Sequence, residues 1–314
     1  MKLDMQKITH LIRIFLIPFN LWLLIVFDLQ AQNIKTHAPK EVMQITAAAA
    51  GDFALPSDVA VSQNYIYVVD GGKHRVLAFD LRGRYQFQFG NQGALKNRLH
   101  YPVGIDVAAG KVYVADSGNK RIKIFASKGK FISSFAVKYR NKNVRPVDVL
   151  VDRRNDELYV SSSENHRLMV FSSNGKLKRH WGGNGLSTGQ FRYPATLAHM
   201  TEQRIAVVDV LNSRLQLFDR QGRFSLQIAK WGVLPGQVFR PKGVAVDQQG
   251  RVYISDSYLN LVQVFSETGR FLYVLGDKGI PWSLTTAVGM TVDHNNRLYV
   301  TEMRKNRLRV FQLE

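Results

Sequence analysis

The sequence predicts an all-β fold: a six-bladed β-propeller with four antiparallel strands in each blade. A phenylalanine recurs at a nearly constant interval, each interval contains the same order of strand and turn signals, and a strand-like segment precedes the first unit. The recurring residues, spaced 46 or 47 positions apart, are Phe79, Phe125, Phe171, Phe218, Phe265 and Phe311. Such a period is typical of repeats that bury their apolar faces against their neighbours.

The first strand of each unit is a short run of small and β-branched residues. In five of the six units this run begins with a proline. These runs cover residues 56–61, 102–107, 146–151, 194–199, 241–246 and 287–292. Short apolar runs bounded by turn signals are typical of strands buried on both faces. We therefore expect them to be the innermost strands, next to the propeller axis.

Three further strands complete the predicted unit. The second strands are rich in β-branched and aromatic residues and cover 65–69, 112–115, 158–161, 205–208, 252–255 and 298–301. The third strand ends on the recurring Phe, and a turn such as Lys128-Gly129-Lys130 then leads into the fourth. Four strands in about 45 residues are typical of a propeller blade.

The ends of the chain predict how the ring closes. Only three residues follow Phe311, so the sixth unit lacks a fourth strand, while residues 42–46 form a strand-like segment before the first unit. We expect this N-terminal strand to close the last blade, because closure removes exposed sheet edges.

The first 31 residues predict a secretory signal peptide. Lys2, Lys7 and Arg13 precede an apolar run at 14–27, and Ala31 suits a cleavage site. The alternative is an uncleaved membrane anchor, although this run is short for a bilayer core of about 30 Å. The predicted domains are thus a signal peptide at 1–31 and a propeller at 32–314, exported to the periplasm or the extracellular space, with no stable membrane insertion after cleavage.

The composition is basic and lacks cysteine. Lys and Arg number 43 against 24 Asp and Glu, a net charge of +19. Such a surface attracts anionic polymers and acidic proteins, although it also serves solubility alone. The absence of Cys excludes disulfides, thiol nucleophiles and cysteine-ligated zinc.

The loops between second and third strands carry a recurring acid-to-Arg pattern. They read Asp70-Gly-Gly-Lys-His-Arg75, Asp116-Ser-Gly-Asn-Lys-Arg121, Ser162-Ser-Glu-Asn-His-Arg167, Asp209-Val-Leu-Asn-Ser-Arg214, Asp256-Ser-Tyr-Leu-Asn-Leu261 and Glu302-Met-Arg-Lys-Asn-Arg307. With the proline before each unit, this pattern resembles the NHL repeat. The third unit departs from it at Ser162 and the fifth at Leu261. The resemblance implies a platform for ligands or proteins, although some NHL propellers bind RNA and a few relatives, such as the amidating lyases, are enzymes. We interpret the acid and Arg as a pair that holds the loop.

The search for catalytic and metal chemistry gives only weak candidates. Asp58, Asp106 and Asp148 lie on inner strands, where oxygen ligands could hold calcium. Their alternative role is to cap backbone amides or bind water. Gly185-Leu-Ser-Thr-Gly189 matches a hydrolase pattern but lacks the strand-to-helix context that this pattern needs. We expect no cofactor, and a lyase or hydrolase site in the channel remains the alternative function.

The rim that carries the inter-blade loops is the predicted binding site. Its basic and aromatic residues suit a binding patch. The candidate residues are Tyr101, Arg145, Tyr193, Arg240, Lys242, His100, Lys120, His166, Tyr258 and Trp282. The expected partner is a protein or an anionic envelope polymer. Nucleic acid is also compatible with this composition, but the export signal argues against it.

Overall fold

The computed structural model describes residues 34–200 and 203–314. The predicted signal peptide lies outside the described residues. Six sheets of antiparallel strands follow one another along the chain, and the innermost strands of successive sheets pack side by side. The described part of the chain is therefore a six-bladed propeller, as the period predicts.

The first three blades are uninterrupted in sequence. Blade 1 contains β3 (Pro56–Val61), β4 (Ile66–Asp70), β5 (Arg75–Phe79) and β6 (Tyr85–Gly90). Blade 2 contains β7 (Pro102–Ala108), β8 (Lys111–Asp116), β9 (Arg121–Ala126) and β10 (Phe131–Ala136), and a small hairpin of β11 (Lys138–Tyr139) and β12 (Lys142–Asn143) follows it. Blade 3 contains β13 (Asp148–Asp152), β14 (Glu157–Ser162), β15 (Arg167–Ser172) and β16 (Leu177–Gly182).

The last three blades include both N-terminal strands. Blade 4 contains β17 (Pro194–His199), β18 (Ile205–Asp209), β19 (Arg214–Phe218) and β20 (Phe224–Ile228). Blade 5 contains β21 (Pro241–Val246), β22 (Val252–Asp256), β23 (Leu261–Phe265) and β24 (Phe271–Asp277), with β1 (Thr36–His37) and β25 (Ile280–Pro281) paired to β24. Blade 6 contains β26 (Ala287–Val292), β27 (Arg297–Glu302), β28 (Arg307–Gln312) and β2 (Lys40–Ile45).

Strand β2 is the outermost strand of blade 6. It pairs antiparallel with β28 from Lys40 opposite Gln312 to Ile45 opposite Leu308. The strand predicted at 42–46 therefore overlaps β2, and the two sets of bounds differ by at most two residues. The last blade is thus composed of the two ends of the described chain.

The core lies between the blades. Each of six apolar clusters combines side chains from two neighbouring sheets, including one that joins blade 6 to blade 1. All six recurring phenylalanines are at most 1% exposed. They pack between the blades, so the connecting loops can differ in sequence without changing this core.

No helix in the described ranges has the length and apolar character needed to span a bilayer.

Candidate binding rim

Two sets of loops meet on one face, which we call the proline-side rim. It consists of the inter-blade segments 46–55, 91–101, 137–145, 183–193, 229–240 and 278–286 and the loops 71–74, 117–120, 163–166, 210–213, 257–260 and 303–306. Backbone bonds join the two sets: Gly72 N–H donates to Ala54 O at 2.8 Å and Gly118 N–H to His100 O at 2.8 Å. The opposite face, the hairpin-side rim, carries the remaining turns.

The acid-to-Arg pairs hold this rim together. Arg75 Nε lies 2.8 Å from Asp70, Arg121 Nε 2.7 Å from Asp116 and Arg214 Nε 2.9 Å from Asp209. Blade 6 has the same pair between Arg307 and Glu302 at 2.5 Å. The same acids also accept backbone amides of the preceding inter-blade loop, as Asp70 does from Ala54 at 2.6 Å. These groups are structural, as the sequence predicts.

Blades 3 and 5 lack the pair but keep the amide contact. In blade 5, Asp256 accepts the N–H groups of Phe239 and Arg240 at 2.6 and 3.1 Å. In blade 3, Glu164 replaces the missing acid and accepts the Arg145 N–H at 2.8 Å. Glu164 pairs with Lys120 instead of Arg167.

A second contact joins each of four blades to the next. The last residue of the loop after the second strand has a positive φ, and its side chain accepts the N–H of the residue just before the first strand of the next blade. The bonds run from Tyr101 to His74 Nδ1 (2.9 Å), from Tyr193 to His166 Nδ1 (3.3 Å), from Thr286 to Asn260 Oδ1 (2.8 Å) and from Leu55 to Asn306 Oδ1 (3.0 Å). His166 is therefore an inter-blade contact. Its Nδ1 must be unprotonated to accept this bond.

The proline-side rim carries most of the exposed apolar surface. Of the fourteen large apolar side chains exposed in the described part of the chain, eleven lie on this rim: Leu55, Leu95, Tyr101, Leu186, Tyr193, Leu211, Trp231, Val233, Leu234, Tyr258 and Ile280. The other three lie on outer strands, at Val42, Ile132 and Phe224. The hairpin-side turns carry none of this set. Such one-sided exposure is typical of an interaction face.

The predicted aromatic residues are largely accessible. Tyr101 is 58% exposed and packs edge-on against His74 and His100, with ring centroids 4.5 and 4.7 Å away. Tyr258 is 59% exposed and lies on Phe239, 4.4 Å away. Trp282 differs, because its indole is half-buried and stacks on Phe311 at 5.5 Å. It contributes mainly to the packing of blade 6.

The predicted cations divide into free and engaged groups. Arg145 and Arg240 are exposed. Lys242 Nζ lies 5.5 Å from the ring of Tyr193, and burial followed by the charge of Arg240 lowers the pKa of Lys242. Lys120 donates to Glu164 at 2.9 Å and is therefore already paired.

The inner-strand carboxylates line the channel but bind backbone amides. Asp58 accepts Ile105 N–H at 2.9 Å, Asp106 accepts Val151 N–H at 2.8 Å, and Asp148 accepts Leu197 N–H at 2.8 Å. Burial raises the pKa of Asp58 to about 7. Burial also raises the pKa of Asp106. Burial and then the charge of Asp58 raise the pKa of Asp148 well above its ordinary value.

The geometry of the channel limits its chemistry. Its cavity has a volume of about 60 Å³, whereas small-molecule sites usually enclose about 300–1,000 Å³. Within the described residues, no group of three or more His, Asp or Glu side chains is arranged to hold a metal ion. The predicted acids lie on neighbouring blades along the channel wall, and each accepts a backbone N–H of the next blade. Calcium binding by these acids stays a prediction.

A larger cavity lies at the hairpin-side mouth. It has a volume of about 660 Å³ and is lined by Tyr65, Lys111, Arg153 and His294 among others. Sequence reasoning missed it because its lining comes from turns of several blades. Its walls are largely polar side chains and backbone.

Sequence reasoning also missed three of the four most exposed apolar residues of the rim, which lie in one recurring type of loop. Leu95 and Trp231 are each 69% exposed, and Leu186 is 67% exposed. They lie in equivalent loops, each closed by one isolated bridge, as between Trp231 and Val238. The available signal was the glycine-containing loop that recurs before three of the prolines.

Comparison with known proteins agrees with this architecture. The NHL repeat family matches residues 99–125 and 240–265, in blades 2 and 5. Protein brain tumor of Drosophila melanogaster is 47% identical over 58 residues, which are 18% of this chain and 6% of that protein. The match therefore spans a small part of that relative.

Solved structures share the fold at low identity. A gluconolactonase from Xanthomonas campestris is 19% identical, with a TM-score of 0.64 over 90% of this chain and 97% of its own. A virginiamycin B lyase from Staphylococcus aureus is 12% identical, with a TM-score of 0.62 over 87% and 88%. The fold and the two matched repeats together show that the described chain is a six-bladed β-propeller with NHL repeats.

Proposed function

We propose that this protein is a non-catalytic platform that binds a protein partner on its proline-side rim. The observation that carries the proposal is the concentration of exposed apolar side chains on that one face. Aromatic residues supply much of the binding energy at protein interfaces. Trp231, Tyr258 and Tyr193 are the anchors that this face offers. The cell envelope or the secreted space is the proposed location, because the sequence of residues 1–31 predicts a signal peptide.

The charge of the rim supports an anionic or acidic partner. Arg145, Arg192 and Arg240 are exposed next to the apolar residues. Complementary charge accelerates association and excludes cationic competitors. An anionic envelope polymer would bind the same charges but would make less use of the exposed apolar side chains of the rim.

The likeness to NHL-repeat proteins supports binding more than catalysis. The structural relatives include a lyase and a lactonase, and at under 20% identity they support the fold alone. The three inner-strand acids line a cavity of only about 60 Å³, and the cavity of about 660 Å³ at the hairpin-side mouth does not include them in its lining. Binding on the rim requires no cavity.

Affinity capture with paired variants tests this proposal. Trp231→Ser and Tyr258→Ser remove anchors from the rim, whereas Ile132→Ser and Phe224→Ser remove exposed apolar groups from outer strands. From an envelope extract, the rim variants should lose the bound partner and the control variants should keep it. Equal recovery by all four would overturn the proposal.

A further inference from the structure

Arg167 lacks the side-chain acceptors that its counterparts have. In blade 1, Arg75 donates to Asp70 at 2.8 Å and to Gln88 Oε1 at 2.7 Å. Arg214 in blade 4 and Arg307 in blade 6 likewise contact an acid and a Gln. The strand registers place Ser162 and His180 at these two positions in blade 3. Both partners of the guanidinium are thus replaced.

The remaining contacts of Arg167 leave its charge uncompensated. Its Nη1 donates to Gly182 O at 2.7 Å, and its guanidinium carbon lies 4.8 Å from the centre of the Tyr139 ring. The Oγ of Ser162 is buried and has no hydrogen-bond partner among the described residues. An arginine held in this way keeps the ability to bind a carboxylate through two N–H groups.

Further cations lie on the hairpin whose Tyr139 ring Arg167 contacts. The hairpin of β11 and β12 and the residues after it contribute the exposed Lys138, Arg140, Lys142 and Arg145, with no acid between positions 137 and 146. Arg140 lies 5.4 Å from the Tyr139 ring, on which Arg167 also packs. We call these four residues and Arg167 the basic junction. Among the described residues, the acid nearest to the junction is Glu164, which pairs with Lys120 and whose pKa is lowered by the hydrogen bond from Lys120 and by the charges of Lys120 and Arg145.

We propose that the basic junction between blades 2 and 3 binds an acidic segment of a protein partner, through carboxylates that take the place of the missing blade acid. This inference rests on the proposed function and adds the chemistry of the partner. The cations extend along a hairpin and do not converge on one point, which suits a row of Asp or Glu side chains. Glu164 accepts the Arg145 N–H but pairs with Lys120, so it does not supply a carboxylate to Arg167. The carboxylate that Arg75 receives from its own blade would therefore reach Arg167 from the partner.

The aromatic content of the junction favours a peptide over single-stranded RNA. Tyr139 is the one aromatic residue of the hairpin, and it is half-buried beneath the two guanidinium groups, with His180 edge-on at 4.9 Å. Bases bind by stacking on free aromatic faces. The hairpin offers guanidinium and ammonium groups in place of such faces.

Ser162→Asp is the sharpest test, because it restores the pattern of the other blades. The new carboxylate should pair with Arg167 and compete with the ligand. We expect the affinity for a short fluorescent Glu-rich peptide to fall about tenfold, a change of ~1.4 kcal/mol. Arg140→Gln with Arg167→Gln should give a similar loss even if Ser162→Asp perturbs folding. The matched control, Lys128→Gln with Lys130→Gln, removes two charges from the hairpin-side rim and should retain the affinity.

The outcomes separate this inference from the platform itself. Equal peptide affinity in wild type, Ser162→Asp and the double Arg variant would overturn the junction, while the Trp231→Ser capture experiment would still test the platform. A single-stranded RNA that binds more tightly than the peptide, and loses affinity in the same variants, would also overturn the peptide assignment. Binding should weaken as salt rises.

Discussion

His74 combines two roles at the residue scale: it joins blade 1 to blade 2, and it can titrate. Its Nδ1 accepts the Tyr101 N–H at 2.9 Å. Burial, and then the charge of His100, lower the pKa of His74, while Asp116 and Asp70 act in the opposite direction. Because the folded state binds the proton less readily than the unfolded chain, this contact stabilises the fold above about pH 6.5 and is lost as the pH falls through the lower, folded pKa.

Two substitutions test this contact. His74→Ala should destabilise the protein by ~1 kcal/mol, since the partly buried N–H of Tyr101 loses its acceptor. His74→Asn should preserve stability, because Asn260 and Asn306 make the same contact in blades 5 and 6. Thermal melts between pH 7.5 and 5.5 should show a smaller acid-induced loss for His74→Asn than for wild type. Identical pH slopes in the two proteins would contradict this role.

At the element scale, strand residues support the inter-blade loops from below. Lys123 of β9 is fully buried, and its Nζ donates to the carbonyls of Leu95 and Lys96 at 2.7 and 2.8 Å. Burial lowers the pKa of Lys123 to about 8. Gln216 occupies the equivalent place in blade 4 and donates to Gln190 O at 2.8 Å.

Lys123→Met should release the loop without unfolding the blade, since Met169 fills this position in blade 3. The carbonyls of the loop at 94–98 would lose their donor and the loop would open more often. Limited trypsin digestion should then cut after Lys96 or Arg98 several-fold faster than in wild type, while cleavage in the loop at 183–193 stays unchanged. A cleavage pattern like that of wild type would show that Lys123 does not hold the loop.

The sequence predicted the strands better than the loops, for a physical reason. The recurring Phe and the acid-to-Arg pairs occupy the same environment in successive blades, so their period reveals their role. The support from Lys123 could not be predicted, because a lone lysine in a strand is usually solvent-facing and only the folded loop supplies the carbonyls of Leu95, Lys96 and Arg98 as acceptors. Likewise, Trp231 and Trp282 both lie in inter-blade segments, yet Trp231 is 69% exposed and Trp282 stacks on Phe311.

At the scale of the whole molecule, stability depends on joining the two ends of the described chain. Ile45 of β2 is 4% exposed and packs in the cluster between blades 6 and 1, together with Val310 of β28. Outside this cluster, the side chain of Arg309 pairs with Glu41 at 2.6 Å. Closure removes an exposed edge from blade 6.

Two substitutions on β2 separate its buried and exposed faces. Ile45→Ala should lower the free energy of unfolding by ~2–4 kcal/mol, because it leaves a cavity between two blades. Val42→Ala, at a position that is 43% exposed on the same strand, should cost under about 0.5 kcal/mol. Denaturant melts measure both values. Similar costs at the two positions would argue against a closed ring.

We propose that the whole molecule presents one binding face, the proline-side rim. Site-specific photo-cross-linking can test whether a partner binds there. A photoreactive residue at position 186 or 258 lies on the rim, and one at position 128 or 268 lies on hairpin-side turns. In envelope extract, we expect both rim positions to cross-link to the same partner and the hairpin-side positions to cross-link to none. Cross-linking confined to positions 128 and 268 would contradict it.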